Sequence, residues 1–184
     1  MKFIILIFTT FCFSLEYYSK EKIIEYADYL LKNNEYQMAL SEYQRAYYIT
    51  DNILEKNALK MNIGQCYYYL HNYDSSIELY ESIIDQTEDK ILFSESIYQL
   101  GLIYYEMERY SLSEKYLAKN LSQIKDVKFQ TKNNLLLSVI YILQYKLDLA
   151  KSLLNTDLFI DNIKAVQLLE VINNISLNKK KNPI

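Results

Sequence analysis

The chain has 184 residues, of which 51% are hydrophobic and 23% are charged, with a formal net charge of −3 at pH 7. It contains two glycines and one proline, too few for the tight turns that a sandwich or barrel of short strands needs about every 8 to 12 residues. The same scarcity excludes a glycine-rich phosphate-binding loop, and the apolar content argues against a disordered chain. The composition therefore predicts one mostly helical domain.

The first fourteen residues differ from the rest and are typical of a secretory signal peptide. Lys2 supplies a positive start, residues 3–13 carry no charge, and Cys12 and Ser14 are small residues placed for cleavage after Ser14. The apolar run is shorter than the roughly 18 to 20 residues that cross a bilayer, which disfavours a permanent anchor. We therefore expect a signal peptide over 1–14, a helical domain over 15–177 and a basic tail over 178–184.

Lipidation of Cys12 is the alternative reading of this segment, although Phe11 stands where a lipoprotein signal has a small residue. Cleavage after Ser14 predicts a periplasmic or secreted protein. Lipidation would instead predict an outer-membrane lipoprotein, and membrane association is expected only in that case.

Small and aromatic residues recur along the chain with a fixed step of 37 residues. The glycines, Gly64 and Gly101, are one step apart, and the same step leads to Ala27 and Ser138. Four more columns share the step: Leu30, Tyr67, Tyr104 and Tyr141; Tyr36, Tyr73, Tyr110 and Leu147; Ala39, Ser76, Ser113 and Ala150; and Tyr43, Tyr80, Leu117 and Leu154. The spacing within each unit fits two amphipathic helices joined by a short turn, with small residues where the helices cross closely.

This pattern resembles the tetratricopeptide repeat (TPR), a helix-turn-helix unit with a consensus of about 34 residues. The four units begin at Lys20, Asn57, Ser94 and Thr131 and extend together to about Gln167. The resemblance implies an all-α fold, a right-handed α-solenoid of about four TPR-like repeats. The longer step adds almost one helical turn per unit, at the end of each second helix or the start of the next first helix.

Residues 162–177 predict a further helix with a broad apolar face. A stack of repeats leaves its last apolar surface uncovered, so we interpret this segment as a C-terminal capping helix. The alternative is that it docks a second subunit, which would make the protein a structural, self-associating homo-oligomer of the envelope. The lysines at 179–181 are interpreted as part of a solvated tail, because the protein is acidic overall.

The sequence does not place residues that commonly act in catalysis where they could act together. The single histidine, His71, falls in the turn of the second repeat, and no carboxylate pair follows a metal-ligand spacing. Cys66 lies in the middle of a helix that has no histidine to activate it, so it is interpreted as a small buried hydrophobic residue. We therefore expect no enzyme, no cofactor, no metal, no small-molecule substrate and no nucleic acid.

In the tetratricopeptide family the first helices line a concave groove, and the resemblance implies where a groove lies here. The implied partner-binding residues are Asp28, Met61, Asn62, Gln65, Tyr68, Tyr98, Leu102, Tyr105 and Val139. This surface would run from acidic, through amide and tyrosine, to apolar, which suits a ligand with a basic start and an apolar stretch. Alternatively, the C-terminal helix covers the apolar section formed by Leu135, Val139 and Ile142.

These features together predict a non-catalytic scaffold or adaptor of the cell envelope. It would bind a peptide segment or partner protein in the groove and act in the assembly of an envelope complex.

Overall fold

A computed structural model of the chain describes residues 19–121, 126–159 and 162–181. The predicted signal peptide, including Cys12, lies outside these residues. The described part of the chain forms nine α-helices and contains no strand. The helices are α1 (Lys20–Lys32), α2 (Tyr36–Tyr48), α3 (Ile53–Tyr69), α4 (Tyr73–Gln86), α5 (Lys90–Glu106), α6 (Tyr110–Leu121), α7 (Val127–Leu143), α8 (Leu147–Leu154) and α9 (Ile163–Lys181), with a 3-10 turn at Asp157–Phe159.

Consecutive helices pack in antiparallel pairs: α1 with α2, α3 with α4, α5 with α6, and α7 with α8. The predicted all-α fold of TPR-like repeats is confirmed. The contacts group the chain into two compact units, one within residues 1–87 and one within residues 88–184. The first unit contains α1 to α4, and the second contains α5 to α9.

In the second, third and fourth repeats the extra turn lies at the start of the first helix. Helices α3, α5 and α7 each have 17 residues, whereas α1 has 13. Each long helix begins after an N-cap residue whose side chain accepts hydrogen bonds from first-turn amides: Asn52, Asp89 and Asp126. These N-cap residues are also 37 residues apart, so the start of each long helix follows the same step as the repeats.

Each turn inside a repeat is closed by one residue in the left-handed backbone region. These residues are Asn34, His71, Glu108 and Tyr145, with φ between 57° and 63°. The next amide bonds back to the first helix, as when Asn72 N–H donates to the Tyr67 carbonyl at 2.9 Å and Arg109 N–H donates to the Tyr104 carbonyl at 2.8 Å. Because this Schellman geometry uses backbone groups alone, none of the four turns needs a glycine at its left-handed position.

The two helices of each middle repeat cross closely at the glycine column. The Ser76 hydroxyl donates to the Gly64 carbonyl at 2.8 Å, and the Ser113 hydroxyl donates in the same way to the Gly101 carbonyl. A Cβ added at Gly64 would lie 2.9 Å from the Tyr80 ring, and one at Gly101 would lie 2.5 Å from Leu117 Cδ2. The glycines are therefore required by space, and the serines satisfy a second lone pair on the helix carbonyls.

Helix α9 packs against α7 and α8 in the second unit. Asn162 caps its start by accepting from the Ala165 amide at 3.2 Å. Ala165 and Ile172 are buried in one cluster with Ala150 and Leu154 of α8. The helix thus covers the apolar surface of the last repeat, as a capping helix must. It continues to Lys181, so the predicted basic tail begins within this helix.

A buried amide network joins three helices of the second unit. Asn120 Nδ2 on α6 donates to the Ser94 carbonyl on α5 at 2.9 Å and to Asn133 Oδ1 on α7 at 3.3 Å. Asn133 Nδ2 donates in turn to the Leu117 carbonyl at 3.0 Å. Both asparagines are fully buried, so the network fixes the relative register of these helices at an otherwise apolar interface.

Replacing Gly101 by alanine should lower the stability of the second unit. Alanine would ordinarily strengthen a helix, but here its Cβ overlaps Leu117, and overpacking of this kind costs about 1 to 3 kcal/mol. The change is measured by chemical denaturation followed by circular dichroism. Ser138→Ala, in the same column, is the matched control and should have a much smaller effect, because that position already holds a Cβ. Equal or greater stability of Gly101→Ala would contradict the close crossing.

Candidate partner-binding surface

The predicted groove residues all lie on first helices, but they belong to two units. In the first unit they are Asp28 on α1 and Met61, Asn62, Gln65 and Tyr68 on α3. In the second unit they are Tyr98, Leu102 and Tyr105 on α5 and Val139 on α7. Their role in binding stays a prediction, and the two sets differ in how much of their surface is available.

In the first unit, α3 presents a surface of amides and aromatic rings. We call Asn62, Gln65, Tyr68 and Tyr69 the α3 face; the first three are half-buried and Tyr69 is 40% exposed. Within the described residues the Asn62 side chain makes no hydrogen bond, and Gln65 Nε2 is 3.5 Å from the Tyr69 hydroxyl. Met61, by contrast, is only 8% exposed and offers little surface to a ligand.

Tyrosine rings extend the α3 face towards the turns of both repeats. Tyr69 stacks on Tyr36 with ring centroids 4.5 Å apart, and Tyr68 lies 5.3 Å from Tyr69 and 6.0 Å from Tyr73. Tyr36 and Tyr73 were expected from the repeat columns, whereas Tyr69 belongs to no column and was not predicted as a site residue. Its signal in the sequence is the unbroken run of tyrosines at 67–69.

Asp28 has a structural partner as well as a predicted binding role. The hydroxyl of Tyr43, a fully buried side chain of α2, donates to Asp28 Oδ1. Burial, and then this hydrogen bond to a carboxylate, hold the pKa of the Tyr43 phenol well above its usual value. The phenol therefore stays protonated and donates to Asp28 across the physiological pH range.

In the second unit, the predicted tyrosines contribute to the core. Tyr98 and Tyr105 are half-buried and pack against the cluster of Leu117, Leu137 and Ile140. Burial raises the pKa of the Tyr98 phenol. Leu102 and Val139 are also half-buried. Replacing either tyrosine by alanine would thus remove core packing together with any contact to a ligand.

The apolar section of the fourth repeat is largely covered by the chain itself. Leu135 and Ile142 pack in the same cluster as Ala165 and Ile172 of α9. These two side chains are thus covered in part by packing within the chain, and the filling of a groove by the C-terminal helix stays a prediction. The surface left for a ligand is therefore richest in the first unit.

Solved structures with the same arrangement of helices have low sequence identity to this chain. The apo form of the quorum sensor NprR from B. thuringiensis aligns with a TM-score of 0.74 at 16% identity, over 95% of this chain and 52% of NprR. Pseudomonas aeruginosa PilF aligns with a TM-score of 0.68 at 16% identity, over 88% of this chain and 71% of PilF. YrrB, a TPR protein with an unusual peptide-binding site, aligns with a TM-score of 0.56 at 18% identity, over 94% of this chain and 98% of YrrB. All three are tetratricopeptide-repeat proteins.

The chain has a tetratricopeptide-repeat fold. Neither a protein-family model nor a curated protein sequence matches it. It spans about half the length of NprR and nearly all of YrrB. At these sequence identities the structural likeness establishes the fold, and it does not transfer the functions of the three proteins to this chain.

Cys66 and His71, the two residues considered for catalysis, lie apart in the described part of the chain, one in the core and one in an exposed turn. Cys66 is fully buried, and burial raises the pKa of its thiol to about 12. His71 is exposed in its turn, as predicted, with Nδ1 3.1 Å from the Tyr73 hydroxyl. No group of three or more His, Cys, Asp or Glu side chains that could hold a metal ion occurs in the described part of the chain.

None of the described helices combines the length and hydrophobicity needed to cross a membrane.

The Cys66 thiol should resist alkylation in the folded protein. Only the thiolate reacts, and burial both raises the pKa of this thiol and shields it from the reagent. The test uses a Cys12→Ser variant and a fluorescent maleimide, with and without denaturant. Labelling should be at least about a hundredfold slower in the folded state. Labelling of the folded protein at the rate of an exposed cysteine would contradict the buried assignment.

Proposed function

We propose that this protein is a non-catalytic scaffold or adaptor that binds a peptide segment of a partner protein on the α3 face. The observation that carries this proposal is that two side-chain amides, of which Gln65 makes only a long hydrogen bond to Tyr69, lie beside a cluster of tyrosine rings on one helix surface. Asn62 and Gln65 lie about one turn apart, with Tyr68 and Tyr69 on the following turn. The three-dimensional likeness to peptide- and protein-binding repeat proteins supports the same general role.

The chemistry of the α3 face suits an extended peptide. Side-chain amides both donate and accept, so Asn62 and Gln65 can pair with the N–H and C=O groups of a peptide backbone whatever its sequence. Tyrosine rings supply a large apolar contact area with little loss of rotamer freedom, and their hydroxyls supply hydrogen bonds. Backbone pairing with aromatic contact favours a segment that carries apolar or aromatic side chains.

The predicted groove positions of the adjacent helix α1 carry carboxylates, although the helix as a whole has as many lysines as carboxylates. Glu25 is exposed, Asp28 is half-buried, and Glu21 is only loosely paired with Lys20 at 3.8 Å. Opposite charges steer encounter and set orientation more than they add affinity. We therefore propose that the bound segment has basic residues near its start, at the end of the surface formed by α1.

We further propose that the protein works in the cell envelope, in the assembly of an envelope complex. This part rests on the signal-peptide pattern at 1–14. Cleavage after Ser14 predicts that the protein recovered from the envelope begins at Leu15, which intact-mass measurement tests directly. A mass that includes residues 1–14 would contradict export by cleavage, and a lipid adduct on Cys12 would support the lipoprotein alternative.

Self-association through α9 is the competing role, and the outward side of that helix has some features that favour it. Ile163, Val166 and Leu177 are exposed on one stripe. Glu170 and Asn174 interrupt the stripe, however, and the inner side of α9 is already used against α7 and α8. An apolar stripe that polar residues interrupt is typical of a solvated face, so the peptide-binding role is the better supported of the two.

Site-specific photo-crosslinking tests the peptide-binding proposal. A photoreactive amino acid at Gln65 should capture one defined partner from the native envelope, and the same residue at Ser41, an exposed position on the second helix α2, is the matched control. Mass spectrometry of the adduct should place the crosslink in a segment with basic and apolar residues. Equal capture at Ser41 and Gln65, or a crosslink only to a second copy of the protein, would overturn the proposal.

A further inference from the structure

A second site lies on the other side of the first unit, away from the α3 face. It is a pocket of about 320 Å³ between the second helices α2 and α4, with α3 at its base. None of the predicted groove residues lines it. Its volume is at the lower end of the range of about 300 to 1,000 Å³ that is common for small-molecule sites. The pocket therefore suits a ligand of roughly one ring and one polar group.

The charged group at the base of the pocket is Lys60. Its Nζ donates to Ser82 Oγ at 3.1 Å and to Gln86 Oε1 at 2.9 Å, and both acceptors are neutral. No carboxylate in the described part of the chain lies within salt-bridge distance of this ammonium. Burial, and then the neighbouring Lys56, lower the pKa of Lys60. A half-buried cation without a counter-charge is a favourable partner for an anion, because pairing offsets its desolvation.

A second cation strengthens the positive field on the same side. Lys56 lies one turn before Lys60 on α3, and its Nζ is 5.4 Å from the centroid of the Tyr47 ring, which lines the pocket. The one carboxylate in the lining belongs to Glu78, an exposed residue of α4. The two lysines outnumber the one exposed carboxylate, so the pocket favours an anionic ligand. A ligand with one negative charge fits best, since a second negative charge on it would approach Glu78.

The walls of the pocket are mixed, with tyrosine and aliphatic side chains beside polar ones such as Gln44 and Ser75. Tyr47, Tyr67 and Leu79 are half-buried and line the pocket, and Ile63 is almost fully buried. Gln44 Nε2 donates to the Tyr67 hydroxyl at 3.2 Å, which holds that ring in place. A tyrosine ring that is held in this way, beside aliphatic side chains, favours contact with a flat apolar group.

We propose that this pocket binds a small aromatic carboxylate. Its carboxylate accepts hydrogen bonds from Lys60 Nζ, and its ring packs against Tyr47, Ile63 and Leu79. Ser75 and Ser82 supply hydroxyls at the two ends of the α4 wall, one of which can bond a ring substituent. The site is independent of the α3 face, so one protein would carry a peptide surface and a small-molecule pocket on opposite sides of the same unit.

Three probes of nearly equal shape test the charge selection. The acid is para-hydroxyphenylacetate, the neutral analogue is para-hydroxyphenylethanol, and the cationic analogue is tyramine. Isothermal titration of the full-length protein should show saturable binding of the acid, at least about tenfold weaker binding of the alcohol, and the weakest binding for tyramine. Absence of saturable binding of the acid, or binding of tyramine as tight as that of the acid, would overturn the proposal.

Two lysine variants identify the group that binds. Lys60→Met keeps the apolar stem and removes the charge, and should weaken binding of the acid by about tenfold or more while leaving the alcohol nearly unchanged. Lys22→Met, at an exposed position on α1 outside the pocket, is the matched control and should leave both affinities unchanged. Undiminished binding of the acid by Lys60→Met would rule out this pocket as its site. Because the probe comparison uses the unaltered protein, the proposal stays testable even if Lys60→Met folds poorly.

Discussion

The close crossing of the two helices in each repeat is the constraint on which the rest of the structure depends. At Gly64 and Gly101 the backbones approach so closely that Tyr80 and Leu117 occupy the space of a Cβ. The serine twelve residues later, Ser76 or Ser113, then reaches the glycine carbonyl. Because the two helices approach closely, large apolar residues of both become buried between them. The crossing point also fixes the position of the turn that joins the two helices. In the fourth repeat the pair is Ser138 and Ala150, and the Ser138 hydroxyl bonds within its own helix instead, to the Asn134 carbonyl at 2.7 Å.

Most of the helical architecture was predictable because its determinants are local and periodic. The small column, the aromatic columns and the step of 37 residues predicted the hairpins before any contact was known. The left-handed residue of each turn left no comparable signal, because Asn34, Glu108 and Tyr145 share a backbone conformation and no side-chain type. The buried pair of Asn120 and Asn133 was also missed. Its partners come from three helices, and a lone asparagine in an apolar stretch predicts a surface position as readily as a core one.

The candidate surfaces were less predictable than the fold, since position in a repeat does not fix exposure. Met61 occupies a groove position and is buried, and Tyr98 occupies another and packs on Leu117 and its neighbours. Burial of this kind depends on what the next helix presents, which the family pattern does not contain. The second-helix pocket was missed for the same reason. Lys60 and Tyr47 lie on different helices, and no spacing in the sequence relates them.

Tyrosine makes up 20 of the 184 residues. Each tyrosine can contribute its ring to packing, its hydroxyl to a hydrogen bond, or both. Tyr43 shows both uses at once: its ring fills the core, and its hydroxyl must find an acceptor there, which is the carboxylate of Asp28. Removing that carboxylate would leave a buried phenol without an acceptor, at a cost of about 1 to 3 kcal/mol. A loss of binding in an Asp28 variant would therefore mix a structural defect with a recognition defect. Asn62 has no such structural partner in the described residues, so its loss reports on recognition alone. The acidic end of the surface is thus coupled to the core, whereas the Asn62 amide of the α3 face has no bond in the described residues that a ligand would have to replace.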